Sequence, residues 1–289
     1  MTLAYIPSPP QGVWFIGDMP VFRAYGICIV LGILVALWIS TRRYVARGGK
    51  SDDISNVAIV VIIAGILGAR LYHVATDHQK YFCTDCDPMD VFRITNGGLS
   101  IIGAAASAMF FSWLYLRFKK IPFGPMADAV APTILIAQGI GRFGNYFNQE
   151  IYGRSTTLPW GLEIFMRRDA DGRVDMMYGH STGQVIDVVH PTFLYESLWC
   201  FFAAAVLLWL DRKFRFQGGA LMALYVVAYS FGRFWVELMR TDEATHVLGL
   251  RINTITSSAT FIIGLIVFFL ICDKKYWRSL KRFLSRSAR

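Results

Sequence analysis

The chain has 289 residues, of which 55% are hydrophobic and only 17% are charged. Soluble domains carry about 25% charged residues, so this composition argues against a soluble protein and favours an integral membrane protein. The net charge of +9 does not indicate a nucleic-acid-binding protein, because the basic residues lie at the ends of apolar runs, which is the membrane pattern.

The apolar runs predict seven transmembrane helices of roughly 16–20 residues, each close to the length that crosses about 30 Å of hydrocarbon. In chain order they are 21–40, 55–74, 98–116, 126–141, 192–210, 219–238 and 255–272. Asp128, Pro132 and Gln138 interrupt the fourth, which we therefore expect to be buried in the bundle, where neighbouring helices satisfy its polar groups. The expected fold is an all-α integral membrane protein, a seven-span helical bundle.

The basic residues alternate between the two ends of these spans. Seventeen of the 29 Lys and Arg residues lie in four segments on one side, 41–54, 117–125, 211–218 and 273–289, and nine lie on the other side. Because positively charged loops remain in the cytoplasm, the N-terminus is expected outside and the C-terminus inside.

The chain is interpreted as one polytopic membrane domain, 1–289. Its longest polar segment, 142–190, is expected to form a small extramembrane subdomain on the outer face between spans four and five. Residues 273–289 are expected to form a basic cytoplasmic tail on the anionic inner leaflet. In an outer loop, Cys83 and Cys86 form a C-x-x-C pair, for which a disulfide or two free thiols are better supported than a metal site.

Two arginines lie in or beside apolar spans, where a charged side chain costs about 2.5–3.5 kcal/mol on insertion scales. Arg142 follows the fourth span and Arg233 lies within the sixth. Either can be structural, as a snorkelling residue or as an ion pair, such as Arg233 with Glu237 at i, i+4. Either can also bind phosphate, because a guanidinium offers a permanently charged planar fork. Two guanidinium groups near one membrane face suit a phospholipid headgroup.

The segment Gly141–Arg154 is dense in small and polar residues. Its glycines allow a ligand to approach the backbone, and Asn145 and Asn148 offer amide donors and acceptors. Glu150 can pair with Arg142 or Arg154, or can accept a proton. So many hydrogen-bonding groups exceed what helix capping requires, which favours a functional site over a capped helix end.

Gly141–Arg154 resembles the signature of the bacterial prolipoprotein diacylglyceryl transferase family. The resemblance extends over about residues 12–272. Further matching segments are Tyr25-Gly26, Asn96–Ser100, His190–Glu196, and Gly232-Arg233 with Glu237 and Arg240.

The resemblance implies an enzyme of the bacterial cell membrane. Such an enzyme transfers the diacylglyceryl group of phosphatidylglycerol to the thiol of a lipobox cysteine in a preprolipoprotein, and glycerol 1-phosphate leaves. Its partners are the phospholipid and the preprolipoprotein, it uses no metal or cofactor, and it binds no nucleic acid. The residues implied as catalytic are Arg142, Arg233, Glu150 and Tyr25. Those implied as substrate-binding are Arg142, Asn145, Gly153, Glu237, Tyr229 and Gly98.

The sequence departs from the family pattern at one position. Many members have a histidine four residues after the pair that corresponds to Gly97-Gly98 here. That histidine has been proposed as the base that activates the thiol. Here Ile102 occupies its place. The positive field of Arg142 and Arg233 is the favoured means of ionising the thiol, and Glu150 is the alternative base.

Two other functions remain open at this level. Spans broken by glycine, with arginines inside the membrane, are also typical of a transporter for an anionic or lipid-like solute, although the sequence shows no repeated halves. An alcohol phosphatidyltransferase would require an aspartate cluster that these spans lack.

Overall fold

The computed structural model describes residues 5–17, 19–83, 87–93, 97–242, 246–247 and 249–272. Within these ranges, seven helices are long and apolar enough to cross a membrane, so the predicted seven-span helical architecture is confirmed. They are α1 (Ala24–Val45), α2 (Ser51–Thr76), α3 (Ile101–Phe118), α4 (Phe123–Asn148), α5 (Thr192–Phe214), α6 (Ala220–Met239) and α7 (Ile252–Ile271). The predicted basic tail, 273–289, lies outside the described residues.

The fourth helix extends beyond its apolar stretch. α4 continues to Asn148, whereas hydropathy ended the fourth span at residue 141. Backbone hydrogen bonds continue through polar residues whose side chains find partners, so hydropathy marks the end of the apolar part rather than the end of the helix. Half of its most apolar stretch is buried, a larger share than in any other of the seven helices, as the interrupted sequence predicted.

The chain divides into two compact units, one formed by Ser40–Met126 and the other by Met1–Ile39 with Ala127–Arg289. In the first, α2 and α3 pack closely because glycines face each other. A Cβ atom on Gly68 would lie 2.6 Å from the carbonyl oxygen of Gly103, and one on Gly103 would lie 2.3 Å from that of Gly68. Small residues at a crossing allow two membrane helices to approach at this distance.

One buried arginine anchors the segment between α2 and α3. The Arg70 guanidinium donates to the carbonyl oxygens of Asp90, Val91, Arg93, Gly97 and Gly98. It also lies 4.9 Å from the centroid of the Tyr81 ring, a cation–π contact. In the same segment Cys83 is disulfide-bonded. Cys86 and Asn96 lie outside the described residues.

The second unit has its apolar core among α4, α5, α6 and α7, where buried residues include Leu135, Cys200, Leu207, Leu221 and Phe268. Cys200 is a free thiol and packs as a small hydrophobic residue. Small residues such as alanine are frequent in this core, so the helices pack at short range.

A buried carboxylate joins α4 to α6. Asp128 of α4 accepts hydrogen bonds from the backbone N–H groups of Gly219, Leu221 and Met222, at 2.9, 2.8 and 3.3 Å. These N–H groups lie at the N-terminal end of α6. They have no hydrogen-bond acceptor inside the helix, and the positive end of the helix dipole favours a negative charge there. Asp128 therefore fixes the start of α6, the helix that carries Arg233.

A small sheet forms much of the segment between α4 and α5. Strand β4 (Leu162–Arg168) pairs in parallel with β1 (Ile6–Pro7) and antiparallel with β5 (His180–Val189). Two hairpins complete the strands: β2 (Val13–Ile16) with β3 (Met19–Arg23), and β6 (His246–Val247) with β7 (Leu250–Arg251).

The buried Arg167 ties this sheet to the end of α4. Its guanidinium donates to the carbonyl oxygens of Pro9 at 2.7 Å and Phe147 at 2.8 Å, and more weakly to that of Met176 at 3.3 Å. Burial lowers the pKa of Arg167 to about 10, so the side chain remains charged at neutral pH. The last turn of α4 and the three-stranded sheet are thereby held together.

Candidate active site: an arginine–carboxylate network

Three helices bring the two predicted arginines onto one carboxylate. Glu196 of α5 lies between Arg142 of α4 and Arg233 of α6, with N···O distances of 2.6 Å to Arg142 and 3.5 Å to Arg233. The Glu196 side chain is only 3% exposed, whereas those of Arg142 and Arg233 are 20% and 16% exposed. The carboxylate therefore lies behind the guanidinium groups, which remain reachable by a ligand.

A second carboxylate extends the network. Glu237 of α6 is fully buried and lies 3.0 Å from Arg233, which is the i, i+4 pair that the sequence suggested. It also lies 2.7 Å from Arg251 and 3.5 Å from Arg240, and it accepts a hydrogen bond from Asn253. A buried carboxylate is tolerated only when it is paired in this way.

Asp242 closes the network near the end of α6. Arg240 donates to it through two nitrogens, at 2.7 and 2.6 Å, and Arg251 lies 3.3 Å away. Partial burial alone would raise the pKa of Asp242. The hydrogen bond from Arg240, together with the charges of Arg240 and Arg251, outweighs that effect and holds the pKa below its ordinary value.

Amides connect Arg142 to Glu150. The Asn145 side chain accepts from Arg142 at 3.3 Å and donates to Glu150 at 2.8 Å, and Asn148 also donates to Glu150, at 3.2 Å. Of the alternatives that the sequence left open for Glu150, the ion pair with Arg142 is therefore not formed, because the carboxylate that pairs with Arg142 is Glu196. Among the residues that the structure describes, Glu150 is bonded by amides and forms no ion pair.

The alternative pairing, Glu150 with Arg154, is also absent from the described part of the chain. The Arg154 guanidinium donates a hydrogen bond to the carbonyl oxygen of Leu238, and the backbone N–H of Arg154 donates one to the carbonyl oxygen of Met239. These carbonyl groups belong to the C-terminal turn of α6, which attracts a cation. Arg154 is therefore used to attach the segment after α4 to the end of α6.

Gly153 lies where two chain segments and α5 converge. A Cβ atom there would lie 2.8 Å from the Cβ of His190 and 3.1 Å from the carbonyl oxygen of Met239. The Gly153 N–H donates to the carbonyl oxygen of His190 at 3.0 Å, and the residue bridges to Arg240 in antiparallel fashion. A side chain at this position would push the chain segment of Gly153 away from His190 and from the end of α6.

The two tyrosines of the predicted site lie beside the arginines. The Tyr25 ring packs on Gly144, where a Cβ atom would lie 2.5 Å from it, and the side chain interacts electrostatically with Glu150 and Arg142. Tyr229 stacks on Tyr225 and interacts electrostatically with Glu196 and both arginines. Tyr25 is 38% exposed, so a ligand can reach this residue.

Gly98, the remaining predicted residue, belongs to the unit Ser40–Met126. Its φ of 76° is a left-handed value that suits glycine, and a Cβ atom there would lie 2.5 Å from an Arg70 nitrogen. Within its unit, Gly98 is therefore fixed by the same arginine that anchors the rest of the segment.

Sequence reasoning did not assign a site role to Glu196, Arg240, Asp242 or Arg251. Glu196 and Arg240 stood in segments that matched the family, and a carboxylate inside an apolar span is itself a signal of function. Arg251 directly precedes α7, and a basic residue at the end of a membrane span is common and does not by itself indicate a functional site. Its contact with Glu237 depends on a fold that sequence spacing does not reveal.

A cavity of about 320 Å³ opens beside Arg233, between α6 and α7. Its walls include Tyr229, Ser230, Arg233, Asn253, Thr256 and Thr260. Hydroxyl and amide groups and a guanidinium thus line a groove whose surface is otherwise largely apolar. The arrangement suits a molecule with an anionic group and an apolar chain.

The fold and the site together define a polytopic membrane protein with a partly exposed arginine–carboxylate centre suited to an anionic, amphipathic molecule. A family model described as prolipoprotein diacylglyceryl transferase matches residues 11–270. The chain belongs to this family.

Three relatives illustrate the extent of the similarity, and all are named phosphatidylglycerol–prolipoprotein diacylglyceryl transferase. The chain is 57% identical over 255 residues to that of Corynebacterium diphtheriae, covering 88% of this chain and 90% of the relative. It is 56% identical over 268 residues to that of Corynebacterium efficiens, covering 93% and 83%. It is 46% identical over 275 residues to one of Streptomyces coelicolor, covering 95% and 76%.

Proposed function

We propose that this chain transfers the diacylglyceryl group of phosphatidylglycerol to a cysteine thiol in the lipobox of a preprolipoprotein, in the first step of lipoprotein maturation. The family membership supports the reaction, and one observation supports the place where it occurs: Glu196 holds Arg142 and Arg233 on the same carboxylate. The enzyme acts in the bacterial cell membrane as a multi-pass protein. Its N-terminus lies outside and its C-terminus in the cytoplasm.

The phosphate of the lipid binds to Arg142 and Arg233, with Asn145 beside it. Two partly exposed guanidinium groups with fixed positions provide donors on two sides of the phosphate. Glu196 and Glu237 hold these donors in place before the lipid arrives, so little reorganisation is needed when charge develops.

The reaction forms one bond and breaks one. The cysteine sulfur attacks the glycerol carbon that bears the phosphate oxygen, and the electron pair of the carbon–oxygen bond passes to that oxygen. Glycerol 1-phosphate leaves as a phosphate monoester, with one more negative charge than the diester. The arginines therefore bind the leaving group more strongly than the substrate, which lowers the barrier.

The thiol proton requires an acceptor, because only the thiolate is nucleophilic. Glu196 and Glu237 are both engaged by arginines, whereas Glu150 accepts only from the amides of Asn145 and Asn148. Glu150 is therefore the acceptor that the contacts favour, and the positive field of Arg142 assists it by stabilising the thiolate. No histidine at the position of Ile102 is needed for this step.

The test is a transfer assay with purified protein, phosphatidylglycerol and a lipobox peptide. Mass spectrometry is expected to detect the thioether-linked diacylglyceryl peptide. Arg142→Ala and Arg233→Ala are each expected to lower kcat/KM by at least about 100-fold, because each removes a donor to the charge that develops.

The matched control is Arg173→Ala, which removes a side chain that is 80% exposed on the outer segment. It is expected to leave turnover unchanged. Absence of product under conditions where a relative is active would refute the transferase proposal. Normal turnover in either active-site variant would remove that arginine from the site.

A further inference from the structure

A cavity of about 460 Å³ lies in the unit Ser40–Met126, at the end where α2 begins and α3 ends. Two turns form its walls: residues 46–50 between α1 and α2, and residues 119–122 between α3 and α4. This volume lies in the range of about 300–1,000 Å³ that is typical of small-molecule sites. It shares no residue with the arginine–carboxylate network.

The cavity is strongly cationic. One turn contributes Arg47 and Lys50, and the other contributes Lys119 and Lys120. Asp53 is the carboxylate among the lining residues, and it is hydrogen-bonded to the hydroxyl of Tyr44. Four cations against one engaged carboxylate create a concave surface of positive potential, which concentrates anions.

Packing and hydrogen bonds fix the conformation of both turns that form the cavity walls. Tyr44 is 3% exposed, and its ring lies under the first turn so closely that a Cβ atom on Gly49 would lie 2.1 Å from it. In the other turn, the backbone N–H of Ile121 bonds the carbonyl oxygen of Leu116 at 2.9 Å. The cations therefore project from fixed turns rather than from a freely moving loop.

The N-terminus of α2 adds to the positive potential. Lys50 occupies its N-cap position, and its side chain does not cap the first backbone N–H groups. Such groups carry a partial positive charge and bind anions readily. Since Lys50 and Asp53 both line the cavity, this end of α2 forms part of its wall.

We propose that this cavity binds a phosphate group. The ends of α1, α2 and α3 meet here, and Tyr44 and Tyr115 both line the cavity, as aromatic residues do near the ends of membrane spans. This position favours the phosphate of an anionic phospholipid headgroup, and free phosphate is the alternative source. The site is independent of diacylglyceryl transfer.

The test uses the full-length protein in phosphatidylcholine bicelles. Thermal unfolding is followed while either phosphatidic acid is added to the bicelles or inorganic phosphate is added to the buffer. The variant Lys119→Gln/Lys120→Gln removes two of the four cations. The control Arg212→Gln/Lys213→Gln removes the same charge from the exposed end of α5, outside the cavity.

Phosphatidic acid is expected to raise the Tm of the wild type and of the control. The cavity variant is expected to bind it about tenfold or more weakly, because basic residues near the surface each add to the attraction for an anionic headgroup. A Tm rise with inorganic phosphate and none with the lipid, lost in the same variant, would support the site and assign a soluble ligand to it.

Two outcomes would overturn the proposal. The first is an equal loss of the ligand-induced Tm rise in both double variants, which indicates an effect of general surface charge. The second is the absence of a Tm rise in the wild type with either probe. Because neither double variant touches the arginine network, each is expected to retain transfer of diacylglyceryl to the lipobox peptide. Retained transfer shows that the variants are folded and separates this site from the proposed reaction.

Discussion

At the level of single residues, Glu196 has the most instructive position. Burying a carboxylate between two arginines contributes little net stability, because desolvation offsets most of the attraction. What the arrangement provides is geometry, since Arg142 and Arg233 come from helices far apart in sequence and meet on the same side chain. Glu196 is therefore a positioning residue for the proposed reaction.

Glu196→Gln is expected to lower kcat for phosphatidylglycerol about tenfold, because small displacements of the phosphate donors misalign the reacting atoms. KM is expected to fall as well, since losing a negative charge leaves the arginines freer to bind the headgroup. Steady-state kinetics with the lipobox peptide measures both constants.

The control for this substitution is Glu163→Gln in β4, which lies outside the network. It is expected to leave both constants unchanged. An unaltered kcat in Glu196→Gln, or a raised KM, would contradict the positioning role. A purely structural defect would lower the active fraction and hence the apparent kcat without lowering KM.

The sequence predicted part of this site and not the rest, for a physical reason. Arg142 and Arg233 were identified because a charge in an apolar run has a high cost and requires an explanation. Which carboxylate faces which arginine depends on the rotation of each helix in the bundle, and hydropathy carries no information about it. The pairing of Arg142 with Glu196 rather than Glu150 was therefore beyond the sequence.

At the level of elements, the seven helices were predictable because each is long and apolar, which is the strongest pattern in any sequence. The end of α4 was not, since its last two turns mix polar and aromatic residues, which lowers their hydropathy, and are nevertheless helical. The three-stranded sheet was also not predicted as strands, because β1 pairs with β4 from the far end of the chain, before α1, and β5 joins β4 only after an irregular connection, 169–179. Such pairings have no local signature.

Asp128→Ala is expected to lower the free energy of unfolding by about 1–2 kcal/mol, because it leaves the first N–H groups of α6 without their carboxylate. Diacylglyceryl transfer is expected to fall with it, since α6 carries both Arg233 and Glu237. Thermal unfolding in detergent and the transfer assay measure the two effects.

Asp52→Ala is the control for Asp128→Ala. Asp52 is an exposed carboxylate in the first turn of α2, where its charge is largely solvated. We expect it to shift the Tm far less. Equal shifts in the two variants would show that burial of Asp128 against α6 does not matter to stability.

At the level of the whole molecule, the distribution of basic residues predicts a single orientation in the membrane. Because the arginine network then lies toward the outer face, the polar segment that follows α4 faces the side from which a secreted preprolipoprotein is accessible.

Cysteine labelling of intact cells tests this orientation. A membrane-impermeant maleimide is expected to label Asp171→Cys, whose native side chain is 71% exposed, without permeabilisation. Lys213→Cys at the end of α5 is expected to react only after the membrane is opened. The unsubstituted protein serves as the background, and the reverse pattern would invert the proposed topology.

The anchoring of the segment before α3 has a consequence for the conditions under which the protein operates. Arg70 binds main-chain carbonyl groups, which do not ionise, and the ring of Tyr81, and these contacts are shielded from solvent because Arg70 is buried. A loop held by surface ion pairs loosens in acid or in concentrated salt. In the proposed orientation this segment faces an environment that the cell does not buffer, and its attachment remains intact as that environment turns acidic, alkaline or saline.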